Sequence, residues 1–131
     1  MFGKQKTGKD GEDIACKILI EKGYKILDRN YSKKCGEIDI IAEKDKQTFF
    51  VEVKTETVDL DKLEHLSLTH RPRPEEKVDA GKLRRISKAI QLYLWAKHQE
   101  DSDWSFLVYS ILFDPIKKVA RVKIIEDVVP E

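Results

Sequence analysis

Three charged side chains lie within a segment that otherwise has the pattern of a β-hairpin. In residues 36–54, two runs rich in β-branched and aromatic residues flank the charged turn 43–46. Asp39 belongs to the first run, and Glu52 and Lys54 belong to the second. Side chains alternate between the faces of a strand, so Glu52 and Lys54 share one face. If the hairpin pairs Asp39 beside Glu52, two carboxylates and one ammonium meet on the sheet.

Such a group of charges can hold a divalent cation. An unpaired buried carboxylate is costly and a cation relieves that cost. Mg²⁺ takes oxygen ligands from one or two carboxylates together with water and phosphate, and Mn²⁺ accepts similar ligands. The alternative is a hairpin whose Asp39, Glu52 and Lys54 form ordinary cross-strand salt bridges. Spacing alone leaves both interpretations open.

A helix is predicted ahead of this hairpin. Thr7 or Asp10 can cap its start, and Gly23 is a natural residue just past its end. The apolar residues at 14–20 cover more than half of its circumference, which predicts a well-buried second half. Glu12 extends the buried stripe, although the helix dipole is by itself a reason for an acid in a first turn.

The segments around the hairpin predict further strands. Residues 24–31 have the pattern of a first strand, with Ile38 and Ile40 expected to share a face of the second. The basic residues 32–34 are interpreted as a solvated turn rather than a phosphate contact. Residues 104–113 are apolar at both odd and even positions, as in a strand covered on both faces. After a turn at 114–117, residues 118–126 are polar enough for an edge strand.

The most basic part of the chain follows the hairpin. Residues 55–76 are long for a connection and predict a functional or a disordered loop. Prolines alternate with two of its arginines, which excludes a helix there, and a helix is then predicted over 76–98. Its cations either are merely solvated or contact phosphate. The candidates for such contact are Arg71, Arg73, Lys82, Arg85 and Lys88.

Composition bounds the class of protein. A chain of 131 residues is about one domain, with mobile ends expected at 1–9 and 127–131. The formal net charge of +1 gives no overall basic signal, so a nucleic-acid partner must be argued from local patches. The longest apolar run, 106–113, is too short to span a bilayer, and the start of the chain lacks the apolar region of a signal peptide. A cytoplasmic protein without a membrane partner is therefore expected.

Motifs for other chemistries are absent from the sequence. The two cysteines have no CxxC spacing and supply no zinc framework. The three histidines are not spaced as a helical metal pair, and there is no Gly-rich phosphate loop or GxSxG elbow.

The residues of the hairpin resemble two groups of proteins, one broad and one narrow. Asp39 followed by Val-Glu-Val-Lys at 51–54 resembles the PD-(D/E)xK core of the restriction-endonuclease-like nucleases. More narrowly, Gly-Glu-Ile-Asp-Ile-Ile-Ala at 36–42 with Phe-Val-Glu-Val-Lys at 50–54 resembles the YraN family of small uncharacterised proteins. The likeness covers roughly residues 8–95 and includes Gly11-Glu12, Gly23-Tyr24, Lys82, Arg85-Ile86 and Tyr93-Leu94.

The resemblance implies a fold and a site. The element order αβββαββ already predicts an α/β sandwich with a mixed central sheet, and the resemblance specifies a restriction-endonuclease-like three-layer sandwich. It implies that Asp39 and Glu52, with the carbonyl of Val53, hold the metal, and that Lys54 orients the attacking water. Glu12 from the first helix would complete the metal's surroundings. Glu37 would be a further ligand or support a ligand.

The function implied is a Mg²⁺-dependent endonuclease acting on DNA. Holliday-junction resolvases are similar in superfamily and size, which points to branched DNA and a two-fold homodimer. Two alternatives remain open. One is a DNA-binding or protein-interaction module on the same fold without turnover, and the other is a purely structural role for the acids and Lys54.

Overall fold

The computed structural model describes residues 4–65 and 80–126. One helix precedes three consecutive strands, two helices follow, and two strands complete the chain. The elements are α1 (Lys4–Glu21), β1 (Lys25–Lys33), β2 (Gly36–Lys44), β3 (Gln47–Thr57), α2 (Leu60–His65), α3 (Ala80–Ala96), β4 (Trp104–Asp114) and β5 (Val119–Ile125).

The five strands form one mixed sheet in the order β1-β2-β3-β4-β5. β3 and β4 run parallel, and the other neighbours are antiparallel. The predicted α/β class with a mixed central sheet is thus confirmed. The observed order contains one more helix than the predicted αβββαββ.

Each face of the sheet carries its own buried cluster. α3 packs Ile86, Ile90 and Tyr93 on one face, and α1 packs Ala15 and Leu19 on the other. β4 contributes alternately to both clusters and is buried throughout its centre. The prediction that this strand is covered on both faces is confirmed.

Two predicted chain reversals are found at the expected places. Gly23 has φ 94° and its N–H donates to the carbonyl of Ile20 at 3.0 Å, while Tyr24 donates to Leu19 at 2.9 Å. This is the αL ending that glycine favours. The hairpin turn is tighter than the four residues predicted, because Lys44 already pairs with Gln47. Its two central residues both have positive φ, as a type I′ turn requires.

The helix boundaries differ from those predicted. α1 begins at Lys4, so Thr7 and Asp10 lie inside the helix instead of capping it, and the helix enters the segment 1–9 that was expected to be mobile. α3 ends at Ala96, two residues before His98, whose φ of 56° takes it out of the helix. Across 4–65 and 80–126, the helices are too short or too polar to cross a membrane.

The prediction of a loop over 55–76 is wrong at its start. β3 continues to Thr57, and α2 follows after two residues. Asp59 caps α2, since its Oδ1 accepts the N–H of Asp61 at 3.0 Å and that of Lys62 at 3.3 Å. The remainder, 66–79, lies outside the described residues.

Gly36 permits the close approach of α3 to β2. A Cβ at this position would lie 2.4 Å from the carbonyl oxygen of Arg85, which is backbone and cannot rotate away. We predict that Gly36→Ala lowers the free energy of unfolding by about 1–3 kcal/mol and the melting temperature by several degrees. Thermal unfolding followed by circular dichroism measures this.

Lys34→Ala, two residues away, is the control for that substitution. Lys34 is exposed, so the melting temperature of this variant should stay close to that of the wild type. A Gly36→Ala protein as stable as the control would contradict the steric argument.

Candidate active site

The ladder between β2 and β3 ends where the candidate residues begin. The register runs from Lys44–Gln47 to Ile40–Val51, although both strands continue. Beyond this point β3 pairs with β4 while β2 pairs with β1. The two strands therefore separate, and we call this separation the fork.

The Asp39 side chain bridges the fork. Its Oδ2 accepts the backbone N–H of Val53 at 2.8 Å, so a carboxylate takes the place of a strand carbonyl. The expected pairing of Asp39 directly beside Glu52 is replaced by this side-chain contact, which still brings the two acids to one place. The N–H of Val53 is thereby satisfied without a partner strand.

The alternation of faces along β2 is broken at Asp39. Ile38 and Ile41 belong to the α3 cluster, whereas Ile40 belongs to the α1 cluster. The prediction that Ile38 and Ile40 share a face is therefore wrong. The break coincides with Asn30, which lies across from Asp39 in β1 and has φ 53°.

Glu52 is a buried carboxylate held by two ammonium groups. It is only 3% exposed, and its Oε1 lies 2.6 Å from Nζ of Lys82 and 3.5 Å from Nζ of Lys54. Lys54 comes from the same strand, and Lys82 reaches across from α3. A carboxylate removed from water needs such compensation, so these lysines stabilise the charge of Glu52 inside the fold.

A cavity of about 520 Å³ opens beside the fork on the side of α3. It brings together acids from β2 and β3 with cations from α3 and from the end of β1. Its lining is Ser32, Lys33, Gly36, Glu37, Asp39, Glu52, Lys82, Arg85 and Ile86. Lys54 joins this group through its contact with Glu52.

Glu12 lies close enough to act electrostatically on Asp39. It comes from α1, and the Arg29 guanidinium lies 3.8 Å from its Oε1 and 2.8 Å from Oδ1 of Asp13. The negative charge of Glu12 raises the pKa of Asp39. The predicted acid of the first helix is thus within electrostatic range of Asp39, with Arg29 as a neighbour that the sequence did not indicate.

The predicted phosphate-binding residues divide into three groups. Lys82 and Arg85 line the cavity, while Lys88 lines a second cavity farther along α3. Arg71 and Arg73 lie outside the described residues. Lys33, interpreted from sequence as part of a solvated turn, lines the first cavity, and its place in a basic run was the available signal.

Burial and crowded charges shift the pKa values of the acids. Burial, and next the charge of Glu52, raise the pKa of Asp39 to about 7. Burial also raises the pKa of Glu12. The surroundings of Asp39 and Glu12 thus disfavour the ionised forms of these two acids, and an additional cation would favour ionisation.

The two lysines respond in opposite directions. Burial, and then the neighbouring Lys82, lower the pKa of Lys54. Burial is the largest influence on the pKa of Lys82 and acts to lower it. The contacts with Glu52 and Lys54 and the charge of Asp39 together outweigh burial, so the pKa of this lysine is raised. Lys82 is therefore the firmer cation of the pair, and Lys54 gives up its proton more easily.

The donor set fits a loosely held hard cation. Among residues 4–65 and 80–126, no group of three or more His, Cys, Asp or Glu side chains is placed to hold a metal. Asp39 engages Val53 through Oδ2 and lines the same cavity as Glu52, so its other oxygen remains available to a cation there. Two carboxylates and a backbone carbonyl suit Mg²⁺, which keeps several waters and substrate oxygens, and do not suit a zinc site built from four protein ligands.

The fold and site define an α/β protein with a carboxylate–lysine cluster at a fork in a mixed sheet. The chain belongs to the uncharacterised protein family UPF0102, whose family profile matches residues 11–125.

Several bacterial UPF0102 proteins are similar to this chain. One from Thermotoga neapolitana is 46% identical over 86 residues, covering 66% of this chain and 69% of the relative. One from Fusobacterium nucleatum is 35% identical over 118 residues, covering 90% and 91%. One from Campylobacter lari is 35% identical over 115 residues, covering 88% and 91%.

The raised pKa of Asp39 predicts a pH-dependent stability. Its ordinary value is 3.8 and its folded value is about 7, so the protonated carboxyl is favoured by folding. This contribution is fully present below pH 4 and is lost as the pH rises through about 7. At about 1.4 kcal/mol per pKa unit, the change is on the order of 4 kcal/mol.

Asp39→Asn tests this linkage, because the amide oxygen can still accept the N–H of Val53. Urea unfolding from pH 4 to pH 8 should show the variant gaining stability relative to the wild type as the pH rises. Asp101→Asn, an exposed acid, serves as the control. A stability difference for Asp39→Asn that does not change with pH would contradict the assignment.

Proposed function

We propose that this chain is a Mg²⁺-dependent endonuclease that hydrolyses phosphodiester bonds of DNA on a restriction-endonuclease-like fold. The observation that carries the proposal is the meeting of Asp39, Glu52 and Lys54 at the fork. Asp39 and Glu52 line one cavity, and Lys54 lies 3.5 Å from Glu52. The resemblance to the PD-(D/E)xK core supports the same assignment for the same three residues.

Each residue has a distinct role in this proposal. Asp39 and Glu52 hold the cation with the carbonyl of Val53, and Glu12 and Glu37 support it from the sides. When bound, Mg²⁺ would acidify a water and offset charge on the phosphoryl group. Lys54, whose pKa is lowered, orients the attacking water or stabilises the developing oxyanion beside Glu52.

Lys82 has a place in both the free and the DNA-bound protein. In the free protein its ammonium compensates Glu52 at 2.6 Å. A divalent cation on Glu52 would take over that compensation, and the Lys82 side chain, which is 34% exposed, could then turn to a phosphate in the cavity. Arg85 and Lys33 on the same cavity supply further positive charge for the DNA backbone.

Branched DNA is the substrate form we propose, from the resemblance to Holliday-junction resolvases. The same resemblance suggests a two-fold homodimer, since two strands must be cut. A DNA-binding module without turnover is the second candidate. The close Lys82–Glu52 contact favours it, because that ammonium already compensates the charge that would attract a metal.

Metal binding is testable by thermal stability, because only a ligand of the native state raises the melting temperature. With Mg²⁺ at about 100 times its dissociation constant, the wild type should gain about 2.7 kcal/mol of stability. Asp39→Ala and Glu52→Ala should gain none, while the exposed control Asp101→Ala should match the wild type. The absence of a shift in the wild type, or equal shifts in all four proteins, would rule out the metal site.

Cleavage separates the enzyme from the binding module. We expect Lys54→Ala to lower the rate of cutting of a labelled branched DNA about 10²–10⁴-fold, because it removes the group beside the attacking water. Affinity for the same DNA, measured by anisotropy in EDTA, should change little. Lys17→Ala on the exposed face of α1 is the control. DNA that is bound by the wild type with Mg²⁺ or Mn²⁺ but never cut would favour the binding module.

A further inference from the structure

A second cavity, of about 700 Å³, lies beyond the first along α3. Its walls include Trp95 and Leu92 from the end of α3 and Trp104 from the start of β4. Trp95 is 66% exposed, which is unusual for the largest apolar side chain. The chain has two tryptophans, and both line this cavity. We call it the tryptophan cleft.

The tryptophan cleft combines flat apolar walls with polar side chains. Trp104 is fixed from behind by Phe50, with ring centroids 5.7 Å apart and planes at 78°. Lys88, Gln91 and Glu100 add polar groups to the lining. Flat rings with hydrogen-bonding neighbours suit a nucleobase, whose face stacks and whose edge carries donors and acceptors.

α3 carries cations at the first cavity and at the tryptophan cleft. The helix contains four cations and no acid. Lys82 and Arg85 line the first cavity, and Lys88 lines the cleft. A helix rises 1.5 Å per residue, so Arg85 and Trp95 are about 15 Å apart along the axis. That length corresponds to about four phosphates at the spacing of a duplex strand, and to fewer phosphates of an extended single strand.

We propose that the tryptophan cleft binds an unpaired nucleobase of the DNA strand whose phosphate occupies the first cavity. The inference rests on the proposed function and narrows its substrate. Bases inside a duplex are stacked on both faces and cannot enter, so the cleft selects DNA with a single-stranded stretch within a few nucleotides of the scissile phosphate. A flap, a gap or an open arm provides that stretch.

Positive charge distinguishes this occupant from an apolar partner. A purely hydrophobic ligand would gain nothing from the cations that lead to the cleft, whereas a nucleic acid uses both surfaces at once. Lys88 contributes to both, because it lines the cleft and is one of the cations of α3.

Intrinsic fluorescence reports the tryptophan cleft directly, since both tryptophans line it. The full chain in EDTA is titrated with a single-stranded 12-mer, with a forked duplex carrying the same unpaired arm, and with the blunt duplex. We expect the single strand and the fork to quench the emission strongly and the blunt duplex to leave it nearly unchanged.

Trp95→Ala should weaken binding of the fork roughly 10- to 100-fold, the effect of losing one base–aromatic stack. Its affinity for blunt duplex should stay within about twofold, and Trp95→Phe should restore most of the fork affinity. Ile116→Ala, at a still more solvent-exposed apolar position in the β4–β5 turn, is the control. Unchanged melting temperatures show that the variants are folded.

Three outcomes would overturn the inference. They are equal quenching by the blunt duplex, an unchanged fork affinity of Trp95→Ala, and a wild-type dimer that Trp95→Ala disrupts in sedimentation while its DNA affinity stays intact. The last would identify the cleft as a subunit contact. Quenching by the fork without any cleavage in Mg²⁺ would support the tryptophan cleft while defeating the nuclease proposal, so the two can fail separately.

Discussion

The buried negative charge of Glu52 is the constraint on which this structure depends. A carboxylate that is only 3% exposed needs cationic partners. Its nearest partner, Lys82, belongs to α3, which is distant from β3 in the sequence. α3 must therefore lie close over the sheet, and the missing side chain at Gly36 allows that approach. The helix position, the cavity and the charge balance follow from one arrangement.

The separation of the strands at the fork costs free energy, and the Asp39 side chain offsets part of that cost. Separating two strands leaves backbone groups without partners, and buried N–H groups of that kind are expensive. The carboxylate accepts the N–H of Val53, so the sheet can open without an orphaned donor. The opening in turn makes room for a cavity lined by acids and cations in the interior of a sheet, where apolar packing would otherwise be expected.

Local signals in the sequence predicted the local structure well. The hairpin, the αL residue Gly23 and the doubly covered strand β4 follow from alternation and backbone preference, which act over a few residues. α2 also had a signal, because Asp59 is a favourable cap, but the pattern around it was interpreted as a loop. Strand alternation singled out Asp39, Glu52 and Lys54, and the resemblance favoured a metal site over ordinary salt bridges.

The remaining features could not be predicted because they depend on distant parts of the chain. The end of the β2–β3 ladder, the change of face at Asp39 and the contact of Lys82 with Glu52 exist only once the helices are in place. The sequence analysis assigned Lys82 to a contact with DNA phosphate, and nothing in its spacing indicated a carboxylate partner. Glu12 was expected near the metal ligands. Its neighbour Arg29 was not expected, because the strand that contains Arg29 was predicted only from the alternation of its side chains.

The parallel pairing of β3 with β4 determines when the candidate site can form. β1, β2 and β3 join through adjacent hairpins, whereas Glu52 pairs with Val108 from near the other end of the chain. Pairings between segments distant in sequence form late in folding, because the entropy of the intervening chain must be lost before the new contacts compensate for it. A chain still emerging from the ribosome can thus hold its three-stranded meander and yet carry no functional centre until β4 has been synthesised.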